Sequence, residues 1–368
     1  MLKSAEVYFV PLPPQSSCAE QVEALKALLA KIDPSPIFAP SDMVAVKLHV
    51  GELHNDSHVK PALIKEIVAW LKTSEALPFL TETATLYKGE RSDAVRHLLH
   101  AFRHGFTAEA VGAPFIMADG LLGNTELEVA IPGLIYQSVF IAREAVLADG
   151  LVAVSHPTGH IQTGLGACLK NLGMGLASRL GKLRQHSTIN PTVKADVCTF
   201  CRACLKWCPE DAIIERDGRA FIIEANCTGC GECLAVCKFD AIAYNFETES
   251  VELQKRVAEH ALGAIANKRN KSLFINVLAE MSKDCDCFAT SQPRIMSDVG
   301  ILLARDPVAI DQATLDLTAA SNADQRDLGR KSYPKLDPSV QLAHAELIGL
   351  GTREYKLIKV TSKGPLTP

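Results

Sequence analysis

Two stretches of the chain, "CTFCRACLKWCPEDA" starting at Cys198 and "CTGCGECLAVCKFDA" starting at Cys227, carry the same cysteine spacing 29 residues apart. In each run three cysteines stand two residues apart and a fourth follows after three more. The first run is Cys198, Cys201, Cys204 and Cys208, and the second is Cys227, Cys230, Cys233 and Cys237. Eight of the twelve cysteines are therefore crowded between 198 and 237. Clusters of this kind in an intracellular chain point to metal ligands more than to bridges. Structural zinc takes paired C-x2-C halves around a longer loop and has no use for a run of four. Three thiolates on one tight turn can wrap a corner of an iron–sulfur cubane and leave its fourth iron for a thiolate elsewhere. Backbone N–H groups of the same turn then face the sulfides.

The spacing resembles that of the bacterial two-cluster ferredoxins. The resemblance implies two [4Fe–4S] clusters with crossed fourth ligands. One would use Cys198, Cys201, Cys204 and Cys237, and the other Cys227, Cys230, Cys233 and Cys208. Gly229 and Gly231 permit the backbone dihedrals that such a turn needs. The duplication runs past the cysteines, because Asp211-Ala212-Ile213 matches Asp240-Ala241-Ile242 at the same offset. Between the runs, "AIIERDGRAFIIEA" reads as a hairpin turning at Asp217-Gly218. Lys238 departs from the pattern, since proline usually follows the fourth cysteine.

The chain has 368 residues, 48% hydrophobic and 22% charged, with a net charge of −4. That is enough for a full core and more than one domain. The charge is small and no basic stripe occurs, which argues against nucleic acid or anionic lipid as partner. The opening "MLKSAEVYFVPLPPQSS" has too short an apolar run for a signal peptide or a membrane helix. A cytoplasmic location is the default expectation.

On both sides of the cysteine region apolar strands alternate with helices. Strands are expected at 43–50, 78–86, 114–119, 150–156, 272–281 and 298–304, with helices at 59–72, 91–104, 138–148, 250–267 and from 306. The pattern predicts an α/β fold, a mostly parallel sheet with helices on both faces. Into it an α+β dicluster ferredoxin-like unit is inserted at 192–247, dividing the α/β domain into segments 1–191 and 248–368. Ligands of such sheets bind beyond the carboxyl ends of the strands. Those ends carry His49, Glu52, Glu82, Asp119, His156 and His160, and the Cys285/Cys287 pair. His49, Glu52, His156 and His160 are candidate proton donors or ligands. Cys285 and Cys287 are candidates for redox thiols or for ligands of an additional metal ion of unspecified identity. The glycine-rich segment 159–182 contributes Lys170 and Asn171 as anion or cofactor contacts, or else serves close helix packing.

"KLHVGE", "SHPTGH", "GACLKNLGMG", "DCDC" and "DPVAID", arranged around the cysteine runs, resemble the family with a domain of unknown function numbered 362. The resemblance spans about residues 40 to 320. It implies an iron–sulfur protein with an α/β main domain and names no reaction. The expected function is a relay of electrons through both clusters to a substrate or metal at the strand ends, as in an oxidoreductase. A redox partner protein of ferredoxin type is expected, and a small-molecule substrate. The alternatives are a non-catalytic carrier or adaptor, and a redox or metal sensor.

Overall fold

Apolar, β-branched stretches bounded by turns dominate the larger part of the chain, and a computed structural model assembles them into one sheet. The structure describes residues 4–186, 190–227, 229–243 and 249–361. The eight strands are β1 (Ala5–Pro11), β2 (Met43–Lys47), β3 (Leu77–Glu82), β4 (Phe115–Met117), β5 (Gly150–Ser155), β6 (Ser272–Leu278), β7 (Gly300–Ala304) and β8 (Tyr355–Lys359). Their order across the sheet is β8-β1-β7-β6-β5-β2-β3-β4. β7 runs antiparallel to both neighbours, and every other adjacent pair is parallel. The exception has a simple cause. Residues 279–299 contain no helix to carry the chain back across the sheet, so it returns antiparallel beside β6.

Every residue of β5, β6 and β7 is buried, as strands covered on both faces must be. One face carries Val44, Val46, Val152, Val154 and Ile275, packed under α1 (Cys18–Leu29) and α2 (Pro61–Lys72). Ser17 and Glu20 form a capping box at the start of α1, and Pro61 opens α2. The other face carries Ala45, Leu151, Ala153, Phe274 and Leu302 under α3 (Cys168–Gly173), α4 (Ser250–Ile265) and α5 (Pro307–Ala320). No helix of the described residues is long and apolar enough to cross a membrane.

The glycine-rich segment serves close packing in part. A Cβ on Gly173 would meet the Val257 carbonyl of α4 at 2.0 Å. The start of α3 is held from outside: Asp311 of α5 accepts the N–H groups of Cys168 and Leu169 at 2.9 and 2.8 Å and the amide of Asn276 at 2.8 Å.

The cysteine-rich stretch packs around its own apolar centre, with Ile213, Ala220, Ile222, Leu234, Ala241 and Ile242 buried together. The chain enters along Thr192–Val193 and leaves along Ile242–Ala243, paired antiparallel. The expected boundary at 247 lies outside the described residues. The expected hairpin is present, Ile213–Arg216 against Arg219–Ile222, with left-handed residues at Asp217 and Gly218.

The strand expected at 78–86 ends at Glu82, and three further expectations need correction. The helix expected at 138–148 is strand Ser138–Ala142 followed by the short helix Arg143–Leu147, because the apolar run pairs with Glu126–Ala130. The strand expected at 43–50 ends at Lys47. The strand of 272–281 ends at Leu278, six residues before Asp284.

Asp311 is fully buried, and burial pushes its carboxyl up from 3.8 to about 6, against the pull of the Leu169, Asn276 and Cys168 donors. A raised carboxyl stabilises the fold below its unfolded value, and that contribution is lost as pH rises through the folded one. Asp311→Ala strands three donors and is expected to cost about 3 kcal/mol in chemical denaturation. The variant should also lack the loss of stability that the parent shows between about pH 4 and 6.

Candidate functional site

The duplicated sequence is also a duplicated backbone. Helix Ala203–Trp207 in the first run answers Glu232–Val236 in the second at the same offset. The left-handed residues Phe200, Arg202 and Asp211 answer Gly229, Gly231 and Asp240. Such a conformation is uncommon without glycine, so its retention at Phe200 and Arg202 marks a turn the surroundings impose. The fourth cysteine of each run lies across from its own three. One small cavity is lined by Cys198, Cys201, Cys204 and Cys237, the other by Cys208, Cys227, Cys230 and Cys233. The amides of Ala212 and Ala241 donate to Cys208 Sγ and Cys237 Sγ at 3.2 and 3.3 Å. Burial pushes the Cys204, Cys230 and Cys233 thiols up. Four thiols around an apolar pocket, with amides aimed at sulfur, form the donor set that a cubane cluster takes. The residues fit two such groups. Among the described residues no three His, Cys, Asp or Glu converge on a single ion.

The larger cavity opens beyond the carboxyl ends of β2, β3, β5 and β6, where open parallel sheets bind ligands. Its volume is about 600 Å³. β2 delivers Lys47 and His49, β3 delivers Glu82, and β5 delivers Ser155 and His156. The segment after β6 brings Cys285, Asp286, Cys287 and Phe288, and α3 brings Lys170 and Asn171. The helix Arg179–His186 adds Lys182 and His186, and the loop after β3 adds Leu86, Tyr87 and Arg91. Polar groups form its floor. Tyr87, Ile161 and Phe288 are exposed at 40%, 55% and 39%, and form an apolar mouth.

Most of the floor's charges are committed to one another. Arg91 Nε donates to Glu52 at 3.0 Å, and its other nitrogens reach Tyr87 Oη at 2.6 Å and His49 Nε2 at 3.1 Å. Burial works against that guanidinium, but Tyr87, Glu82 and Glu52 raise its pKa all the same. Lys47 donates to Asn171 Oδ1 at 2.9 Å and lies 3.6 Å from Glu82. Burial lowers its pKa. Burial also opposes the charge on Glu82, but Lys47 and the hydrogen bond from His97 hold the carboxyl well below its usual range. Lys182 donates to Thr83 Oγ1 at 2.7 Å and Ala177 O at 2.6 Å, and burial pulls its pKa down to about 7.

The histidines divide by what faces their nitrogens. His156 Nδ1 lies 2.8 Å from Asp286 and Nε2 lies 2.8 Å from the Ala279 carbonyl. Both partners accept, so both nitrogens carry hydrogen and the ring is a cation. Burial opposes that charge, yet Asp286 raises the pKa. His160 Nδ1 instead receives the Thr163 and Gln162 amides at 3.1 and 3.3 Å, which leaves the proton on Nε2. Burial and Lys170 keep that ring neutral. His49 is neutral as well, through burial and Arg91.

Of the residues expected here, His49, His156, His160, Lys170, Asn171, Cys285 and Cys287 share this one cavity. Glu52 stands behind Arg91 and does not line it. Cys285 and Cys287 are joined to each other as a disulfide, so neither thiol is open to a metal in this arrangement. Asn171 is occupied by Lys47, the Val154 carbonyl and Ser155. Lys47 and His186 were not anticipated. For Lys47 a signal existed, a lysine inside an otherwise apolar strand. His186 gave none.

The cavity also adjoins the cysteine-rich unit. Leu86 and Leu183 are buried within that unit's apolar core, and Asn124 donates to Glu232 at 2.8 Å. Burial and Arg179 lower the pKa of Lys88, while Cys237 raises it, so this lysine lies between the two parts.

The His156–Asp286 pair sets a pH window. A raised histidine stabilises the fold below 6.5, and loses this as pH rises through its folded value; a depressed aspartate stabilises above 3.8, and loses this as pH falls through its own. Asp286→Asn should lower stability at pH 6 by about 3 kcal/mol. NMR of the His156 ring should show its titration moving downward. An unchanged titration would mean that Asp286 does not hold the charge.

Comparison with known proteins places these observations. A match of 33% identity over 82 residues links the chain to pyruvate synthase subunit PorD of Thermotoga maritima, covering 20% of this chain and 82% of that protein. Among solved structures, the lactate racemase apoprotein from Thermoanaerobacterium thermosaccharolyticum aligns with a TM-score of 0.41 at 12% identity. That alignment covers 74% of this chain, which spans half the length of the racemase chain. The family model described as "Domain of unknown function (DUF362)" matches residues 44–316, and the chain belongs to that family.

Proposed function

We propose that this chain is an iron–sulfur oxidoreductase that passes electrons from two [4Fe–4S] clusters to a small substrate in the cavity at the strand ends. A shared wall carries this reading. Leu86 lines the cavity and also packs in the core of the cysteine-rich unit, and Leu183 packs there from the helix whose Lys182 and His186 line the cavity. A simple carrier has no use for such a cavity.

Cys198, Cys201, Cys204 and Cys237 would hold one cluster, and Cys227, Cys230, Cys233 and Cys208 the other. Clusters bound there store and release single electrons. The chain's own groups do the remaining work. The Ala212 and Ala241 amides stabilise charge on sulfur. His160 presents a neutral imidazole Nε2–H to the cavity, a hydrogen-bond donor for an oxygen of the substrate. The Arg91–Glu52–Tyr87 group fixes His49 and the loop that closes one side. The Cys285–Cys287 disulfide would open to two thiols on taking two electrons and two protons, an electron store beside the substrate. An external one-electron carrier protein would load the clusters from the outward face, where Trp207 and Phe239 are exposed beside Cys208 and Cys237. PorD is named as a subunit, which supports a protein partner for its relative here. So many thiols suit a reducing, cytoplasmic compartment.

The anaerobically reconstituted protein should carry about eight irons per chain, and Cys204→Ser and Cys230→Ser should each keep about four. Full iron in either variant would overturn the ligand assignment, and negligible iron in the parent would overturn the relay.

A further inference from the structure

The cavity's cations are unequal. Lys47 is satisfied by Asn171, the Leu48 carbonyl and Glu82; Arg91 by Glu52 and Tyr87; Lys182 by Thr83 and the Ala177 carbonyl. Lys170 differs. It lines the cavity, and its ammonium has no hydrogen bond or ion pair to a described residue. The charges around the site do not balance either. Lys47, Arg91, Lys170 and the His156 imidazolium are met by Glu52, Glu82 and Asp286, so one positive charge remains without a counterpart before Lys182 is considered. A half-buried cation held this way is costly unless something pairs with it.

We infer that the cavity takes an organic monocarboxylate, its carboxylate on the Lys170 ammonium and the His160 Nε2–H, and its apolar part against Leu86, Ile161, Met174 and Phe288. The seat offers one unmatched cation and one neutral N–H donor, which suits a single negative charge better than the two of a phosphate. The mouth residues Ile161 and Phe288 are exposed, and an apolar tail would cover them. This names the substrate class of the proposed reaction, and only its role as substrate rests on that reading.

Burial brings Lys170 down to about 8, with Arg91 and Lys47 adding to the effect and Asp286 opposing it. The other groups that face it, His160 and His186, are kept neutral by burial and by Lys170 itself. Carboxylate affinity should therefore hold below pH 8 and decline as the pH passes it.

Propionate, benzoate and 4-phenylbutyrate, each compared with its own amide, test the inference by calorimetry on the oxidised, cluster-loaded protein. At least one acid should bind ten times more tightly than its amide. Lys170→Met should remove that preference and the decline near pH 8 while the melting temperature holds, and Lys170→Arg should restore the preference. Equal binding of acids and amides, absence of binding throughout, or a preference that survives Lys170→Met would overturn it. No electrons enter this measurement. Its failure would leave the relay reading standing, and failure of the iron test would leave the carboxylate seat standing.

Discussion

Glu82 is an ionised carboxylate at the end of β3 with almost no access to water, 2% exposed. An isolated charge in that position would be prohibitively costly. It persists because Lys47 lies at 3.6 Å, Arg91 at 3.9 Å, His97 donates at 2.7 Å and the Val50 amide at 3.3 Å. Lys47 and Val50 come from β2 and the residues after it, Arg91 from the loop after β3 and His97 from a helix, so the charge fixes the relative positions of these segments. β2, β3, the loop after β3 and the helix Ala94–Arg103 are all tied to this one group. Lys47 and Arg91, two of the groups that neutralise Glu82, also line the cavity at the strand ends, so the network shapes its floor.

The network also explains why the histidines differ in chemistry. Imidazoles at strand ends are alike in sequence, but their protonation follows from neighbours. His156 is a cation because two acceptors face it, and His160 is neutral because two backbone amides occupy one nitrogen. A ligand entering the cavity needs a hydrogen-bond donor that is not already locked in an ion pair. His160 meets that need and His156 does not, although both stand within "SHPTGH".

Much of this was legible beforehand, for physical reasons that can be named. The crossed grouping of the cysteines is what the resemblance to two-cluster ferredoxins implies, and each of the two small cavities is lined by the same four cysteines. Apolar runs between turns located the central strands, because strands covered on both faces need continuous hydrophobicity. β1 and β8, which lie beyond β7 in the sheet, are not among the expected strands. They are poorer in apolar content, and β1 ends on Pro11 with prolines at 13 and 14 close behind. The strand Ser138–Ala142 was mistaken for helix since its pairing with Glu126–Ala130 is a tertiary fact. Which cation stays unmatched was equally invisible. Lys170 and Asn171 are adjacent in sequence, yet among the described residues one has no partner and the other is consumed by Lys47, Val154 and Ser155.

The proposed function requires two clusters with crossed ligands beside a cavity that would receive their electrons. Iron-edge anomalous diffraction from anaerobically grown crystals tests this most directly. It should show two compact groups of about four irons each, one among Cys198, Cys201, Cys204 and Cys237, the other among Cys227, Cys230, Cys233 and Cys208, both adjoining the Leu86–Leu183 wall. Iron held by the four cysteines of a single run, or single zinc ions in place of the groups, would contradict it.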